Sequence, residues 1–64
     1  MKRYTIYTPN TRLLDTIIAE MTNSIPCFID RECIEMDYSK VTVTCREEDS
    51  DYVRSCLTAV LLLS

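Results

Sequence analysis

Along its first seven residues the chain alternates, with Tyr4 and Ile6 on one side and Arg3, Thr5 and Tyr7 on the other. A period of two predicts a half-buried strand over Lys2 to Tyr7. Thr8-Pro9 then reads as a helix entry, a hydroxyl at the N-cap followed by proline at the first helical position. Beyond it Leu13, Leu14, Ile17, Ile18 and Met21 recur at spacings of three and four, while Arg12, Asp15, Thr16, Glu20 and Thr22 take the opposite side. That is the stripe of an amphipathic helix. Its end is expected near Asn23, a residue that tolerates the left-handed conformation of a helix C-terminus.

From Ile25 to Asp37 the pattern conflicts with itself. Cys27 and Ile29 share one parity and Ile34 and Met36 the other, so one straight strand cannot bury both pairs. A bulge or break around Asp30 to Glu32 would resolve this. Val41, Val43 and Cys45 alternate cleanly with Thr42 and Thr44. With Ser39-Lys40 as the turn, Tyr38 faces Val41, Met36 faces Val43 and Ile34 faces Cys45, which collects the large apolar residues on one side. In that register Cys33 points away from the core and Cys45 into it. Glu47 to Asp51 opens a last helix, in which Tyr52, Val53, Cys56, Leu57, Val60 and Leu61 form the buried stripe and Leu63 adds to the end.

The order β-α-β-β-α predicts an α+β, two-layer sandwich. A strand, a crossover helix and a parallel strand come first, and a hairpin then adds the third strand. Val41 to Cys45 is expected in the middle of a three-stranded sheet, with two helices on one face. Over the whole chain, residues 1–64 as a single domain, this order resembles a ferredoxin-like sandwich lacking its last strand. The resemblance is one of element order and implies no activity. The open sheet side is expected to display Arg3, Thr5 and Tyr7, then Thr42, Thr44 and Arg46, then Cys33, Glu35 and Asp37.

Composition narrows the chemistry. The chain has 64 residues, 47% of them hydrophobic, and neither glycine nor histidine. Without glycine there is no phosphate loop, dinucleotide fingerprint or nucleophile elbow. Without histidine the commonest general base is missing. Glu35 and Asp37 share a strand face, but acid–base work needs a partly dry pocket that separates their pKa values, and so small a domain has little room for one. No catalytic residue, metal ligand set or cofactor site is therefore expected. Cys27, Cys33, Cys45 and Cys56 include no Cys-x-x-Cys pair, which speaks against a zinc knuckle. They read as reduced thiols in a cytoplasmic protein, since the N-terminus lacks a signal-peptide core and the longest apolar run, Ala59 to Leu63, is too short for a bilayer.

Charge is placed unevenly. The net charge is −3, and residues 30 to 51 hold eight of the ten acids against three bases, which leaves the remainder of the chain positive. An acidic sector can steer a basic partner. The function expected is that of a small acidic protein-binding module. One concrete form is a phage-type inhibitor of a host nucleic-acid-handling complex, such as a CRISPR effector, which presents carboxylates where phosphates would lie. The candidate partner-binding residues are Glu35, Asp37, Glu47, Glu48, Asp49 and Asp51. A second reading is a structural or regulatory homodimer with an apolar contact at Leu62 and Leu63. A third, an RNA-binding domain, is disfavoured by the acidity and by Tyr7 being the one aromatic placed on the open face.

Overall fold

The computed structural model describes residues 1–36 and 38–63. Its elements follow the order expected: β1 (Lys2–Thr8), α1 (Thr11–Ser24), β2 (Cys27–Glu35), β3 (Tyr38–Cys45), a 3-10 turn (Glu47–Asp49) and α2 (Ser50–Leu62). The strands form one sheet in the order β1-β3-β2, and β3 is antiparallel to both neighbours. β1 and β2 therefore run parallel to each other with β3 between them, an α+β arrangement consistent with a ferredoxin-like sandwich.

β3 is the middle of the core because its alternation is unbroken. Ser39, Val41, Val43 and Cys45 are buried, while Tyr38, Lys40, Thr42 and Thr44 face the other way. Ile6 and Thr8 of β1, Leu14 and Met21 of α1, and Val53, Leu57 and Val60 of α2 complete the buried set. No residue of β2 is fully buried; Cys27 and Ile29 pack against the cluster from its margin.

The helix ends differ from the sequence reading. The N-cap of α1 is Asn10, whose Oδ1 accepts from the Leu13 amide at 3.1 Å, while Thr8 Oγ1 accepts from the Asn10 amide at 3.1 Å. Thr8 belongs to β1 instead, and Pro9 precedes the cap. At the other end the helix runs to Ser24 and closes on Ile25 in an extended conformation, with no left-handed residue at Asn23. The stripe of α2 is also narrower than its periodicity suggests. Tyr52 and Leu61, nine residues apart and so on opposite flanks of the helix, are both exposed; Leu61 lies beside β1, where no strand follows.

The hairpin is the main correction. Tyr38 pairs with Glu35, Ser39 with Cys33, Val41 with Arg31, Val43 with Ile29 and Cys45 with Cys27. The strands thus meet at Glu35 and Tyr38, and Ser39 is a buried strand residue, not a turn. The bulge lies between Cys33 and Glu35, beyond the polar run Asp30 to Glu32. Ile34 is the extra residue there, so it and Met36 are exposed instead of facing Cys45 and Val43. Arg31 can remain on the core-facing parity because Asp15 of α1 binds its guanidinium, so the charge stays paired at the rim of the helical layer. The chosen register keeps β2 and β3 paired over almost their full length, which outweighs the burial of two apolar side chains.

Candidate interaction surface

With the helices on one face, the other face of the sheet is open. The register arranges it in rows across the three strands: Arg3, Thr44 and Phe28; Thr5, Thr42 and Asp30; Tyr7, Lys40 and Glu32; then Tyr38 beside Glu35. Thr5 and Thr42 hydroxyls meet at 3.2 Å in the centre. The aromatic content is greater than the sequence reading allowed. Phe28 is 73% exposed, and Tyr7 and Tyr38 are also exposed. Tyr38 does not face Val41. Cys33, expected on this face, falls on the opposite parity, and its exposed thiol donates to the Glu35 carbonyl at 3.3 Å. The bulge reverses the parity after Cys33, which returns Glu35 to the open face.

Charge runs across this face as well as along it. Arg3 lies on β1 and Lys40 on β3, whereas Asp30, Glu32 and Glu35 lie on β2. None of these three carboxylates takes part in the ion pairs found among the described residues.

The carboxylates singled out from the sequence are not brought together. Glu35 sits at one end of the sheet and Asp37 lies outside the described residues. Glu47, Glu48, Asp49 and Asp51 follow the far end of β3, about 23 Å away along the strand. That second group is partly neutralised in place. Arg46 Nε donates to Asp49 Oδ2 at 2.8 Å, Arg46 also pairs with Glu48 at 3.3 Å, and Lys2 lies 3.9 Å from Glu47. The bond to Asp49 raises the Arg46 pKa further. Acids before α2 also complement the positive end of that helix. Leu62 and Leu63 are exposed at the end of α2.

Two open grooves flank α2. One, of about 510 Å³, is lined by Asp51, Arg54, Ser55, Thr58, Ala59 and Leu62. The other, of about 190 Å³, lies where the 4–6 segment of β1 meets Arg54, Leu57, Thr58 and Leu61. Asp51 and Arg54 are the charged side chains that line them, and neither groove holds a carboxylate pair or a cysteine. Tyr4 reaches under the start of α2, where its hydroxyl hydrogen-bonds Ser50 Oγ.

All four cysteines are free thiols. Cys27 and Cys45 face each other across β2 and β3. Burial raises both pKa values. Cys45 and then Asp49 add to the effect at Cys27, and Asp49 adds to it at Cys45, where the N-terminal ammonium acts in the opposite sense. Among the described residues no cluster of three or more metal-ligating side chains occurs, and no helix is long and apolar enough to cross a membrane.

No protein-family model, curated protein or solved structure matches this chain.

The residues that shape this surface but escaped the sequence reading are Phe28, Asp30, Glu32 and Tyr38. Their signal was present. From Cys27 to Cys33 the chain alternates with a period of two, broken by Arg31 on the inward parity and by Phe28 on the outward one.

Proposed function

We propose that this chain is a protein-binding module that docks through its open sheet face. The observation that carries the reading is the set of rows across that face: Phe28, Tyr7 and Tyr38 stand exposed among threonines, beside a margin of unpaired carboxylates on β2. Exposed aromatics supply contact area at small entropic cost, and charge at the margin sets orientation and association rate. The acidic margin favours a basic partner, such as a protein that handles nucleic acid, in the cytoplasm. In this reading Glu35 stays in the contact and is joined by Asp30 and Glu32. Glu47, Glu48 and Asp49 leave it, because their charge is already answered by Arg46 and Lys2. The same margin argues against RNA as the ligand, since carboxylates in the rows beside Tyr7 and Phe28 repel phosphate.

Affinity capture from the native host's extract tests this. Asp30→Asn, Glu32→Gln and Glu35→Gln combined should weaken capture, and Phe28→Ala should abolish it. Glu47→Gln with Glu48→Gln should leave it unchanged. Capture that survives the first two variants, or retention of the wild type on a polynucleotide column at low salt, would overturn the proposal.

A further inference from the structure

The sheet has two outer edges, and they differ. β2 is guarded: a bulge interrupts it between Cys33 and Glu35, and its middle holds Asp30, Arg31 and Glu32. Pairing β2 with its own copy about Arg31, the centre of Cys27–Glu35, would oppose Arg31 to itself and Asp30 to Glu32. Bulges and charges of this kind are the usual means of keeping an edge strand from pairing. β1 has no bulge, and its charges, Lys2 and Arg3, stand at its start and not in its middle. It is regular over seven residues, is paired with β3 on one side only, and contains no carboxylate.

We propose that β1 pairs with β1 of a second copy of this chain, antiparallel about a twofold axis at Thr5, to form a continuous six-stranded sheet. An axis perpendicular to the sheet keeps both helical layers on one side, so the two residues opposed in each pair must share a face. Of the registers that meet this condition, the one centred on Thr5 uses all seven residues. On the open face it sets Arg3 against Tyr7 of the second copy, twice, and Thr5 against Thr5. A guanidinium beside an aromatic ring and a pair of threonines are both favourable cross-strand neighbours. On the helical face it sets Tyr4 against Ile6 and Lys2 against Thr8. The two arginines end about 13 Å apart along the strand, beyond the screening length in physiological salt. The smaller groove supports the same occupant. It runs along β1 at Tyr4, Thr5 and Ile6 and is walled by Leu61, which is 48% exposed. Because Thr5 lines it, the axis brings the two grooves together and gives both copies of Leu61 apolar cover.

Sedimentation velocity from micromolar to millimolar protein tests the pairing. The wild type should pass from monomer to dimer. Thr5→Lys, exposed and far from the core, sets two ammonium groups on the axis and should weaken the dimer at least tenfold while the far-UV circular dichroism stays unchanged. Glu32→Lys, on the other edge, should leave the dimer intact. As a second measurement, Thr5→Cys in a Cys33→Ser background should form a covalent dimer on oxidation by a low-molecular-weight disulfide, which is reduced as the two position-5 thiols lose their protons and join. A wild type that stays monomeric throughout, a dimer indifferent to Thr5→Lys, or a failure of the Thr5→Cys protein to cross-link would each overturn the proposal.

Discussion

Leu57 and Leu61 stand one turn apart on α2, and helical periodicity ranks them as equals. Their surroundings do not. Leu57 is 3% exposed and belongs to the buried cluster, whereas Leu61 is 48% exposed beside the free edge of β1. Replacing Leu57 with alanine removes three carbon atoms from the core, about 2.4 kcal/mol at ~0.8 kcal/mol per carbon. The cavity left behind adds on the order of 1 kcal/mol. Leu61→Ala forfeits about half the transfer energy and leaves no enclosed void, so about 1 kcal/mol is expected. A chain of this length holds only about 3–10 kcal/mol of stability in total. Equilibrium unfolding in urea, followed by circular dichroism at low protein concentration, separates the two. With a slope of about 1 kcal/mol per molar, Leu57→Ala should lower the midpoint by roughly 3 M or unfold the protein outright, and Leu61→Ala by roughly 1 M. Equal losses would refute the burial assigned to this helix.

The remaining predictions concern pH and the first helix. Both Cys27 and Cys45 have raised pKa values in the folded chain, so the unfolded chain loses these protons first as pH rises. Stability should be unaffected by these thiols below their ordinary pKa of about 8.5 and should fall as pH climbs through and above it. Unfolding free energies measured on either side of that value should show the loss, and Cys27→Ala with Cys45→Ala should reduce it; an unchanged slope would refute the assignment. Asn10→Ala removes the acceptor for the Leu13 amide and should cost about 1 kcal/mol in the same urea assay. Thr11→Ala, just inside the helix, should cost less than half as much.

How far the sequence reveals this molecule varies along the chain with the clarity of its alternation. β3 was legible because Val41, Val43 and Cys45 share one parity with nothing to contradict them. α1 was legible because five apolar residues fall on one stripe, although its entry was read two residues early. Thr8 carries the hydroxyl expected of an N-cap, yet it serves Asn10, and Asn10 caps the helix. β2 was misread for a specific physical reason. Placing Ile34 and Met36 in the core looked favourable when apolar burial alone was weighed. The chain instead leaves them exposed, keeps the ladder with β3, and pairs the inward Arg31 with Asp15. That ion pair joins residues on different elements, and no local pattern announces it. The open face inherits the error: with the break expected at Asp30 to Glu32, the shared parity of Phe28, Asp30 and Glu32 is cut, although the alternation from Cys27 to Cys33 carries it.

The acidic sector shows a second limit. Counting charges between residues 30 and 51 finds a real excess, but it merges the carboxylates spread along β2 with those that follow the end of β3. Only the fold separates the carboxylates that Arg46 and Lys2 already hold from those left open on β2.

Amide chemical-shift mapping on the isotopically labelled chain, titrated with a basic protein retained in the affinity capture, decides between the open sheet face and the rest of the surface. Docking through the sheet should concentrate the perturbations on Tyr7, Phe28, Asp30, Glu32 and Tyr38 and leave the outer surfaces of α1 and α2 unchanged. Perturbations centred on Glu47 to Asp51 or on the helical layer, with the sheet face silent, would contradict it.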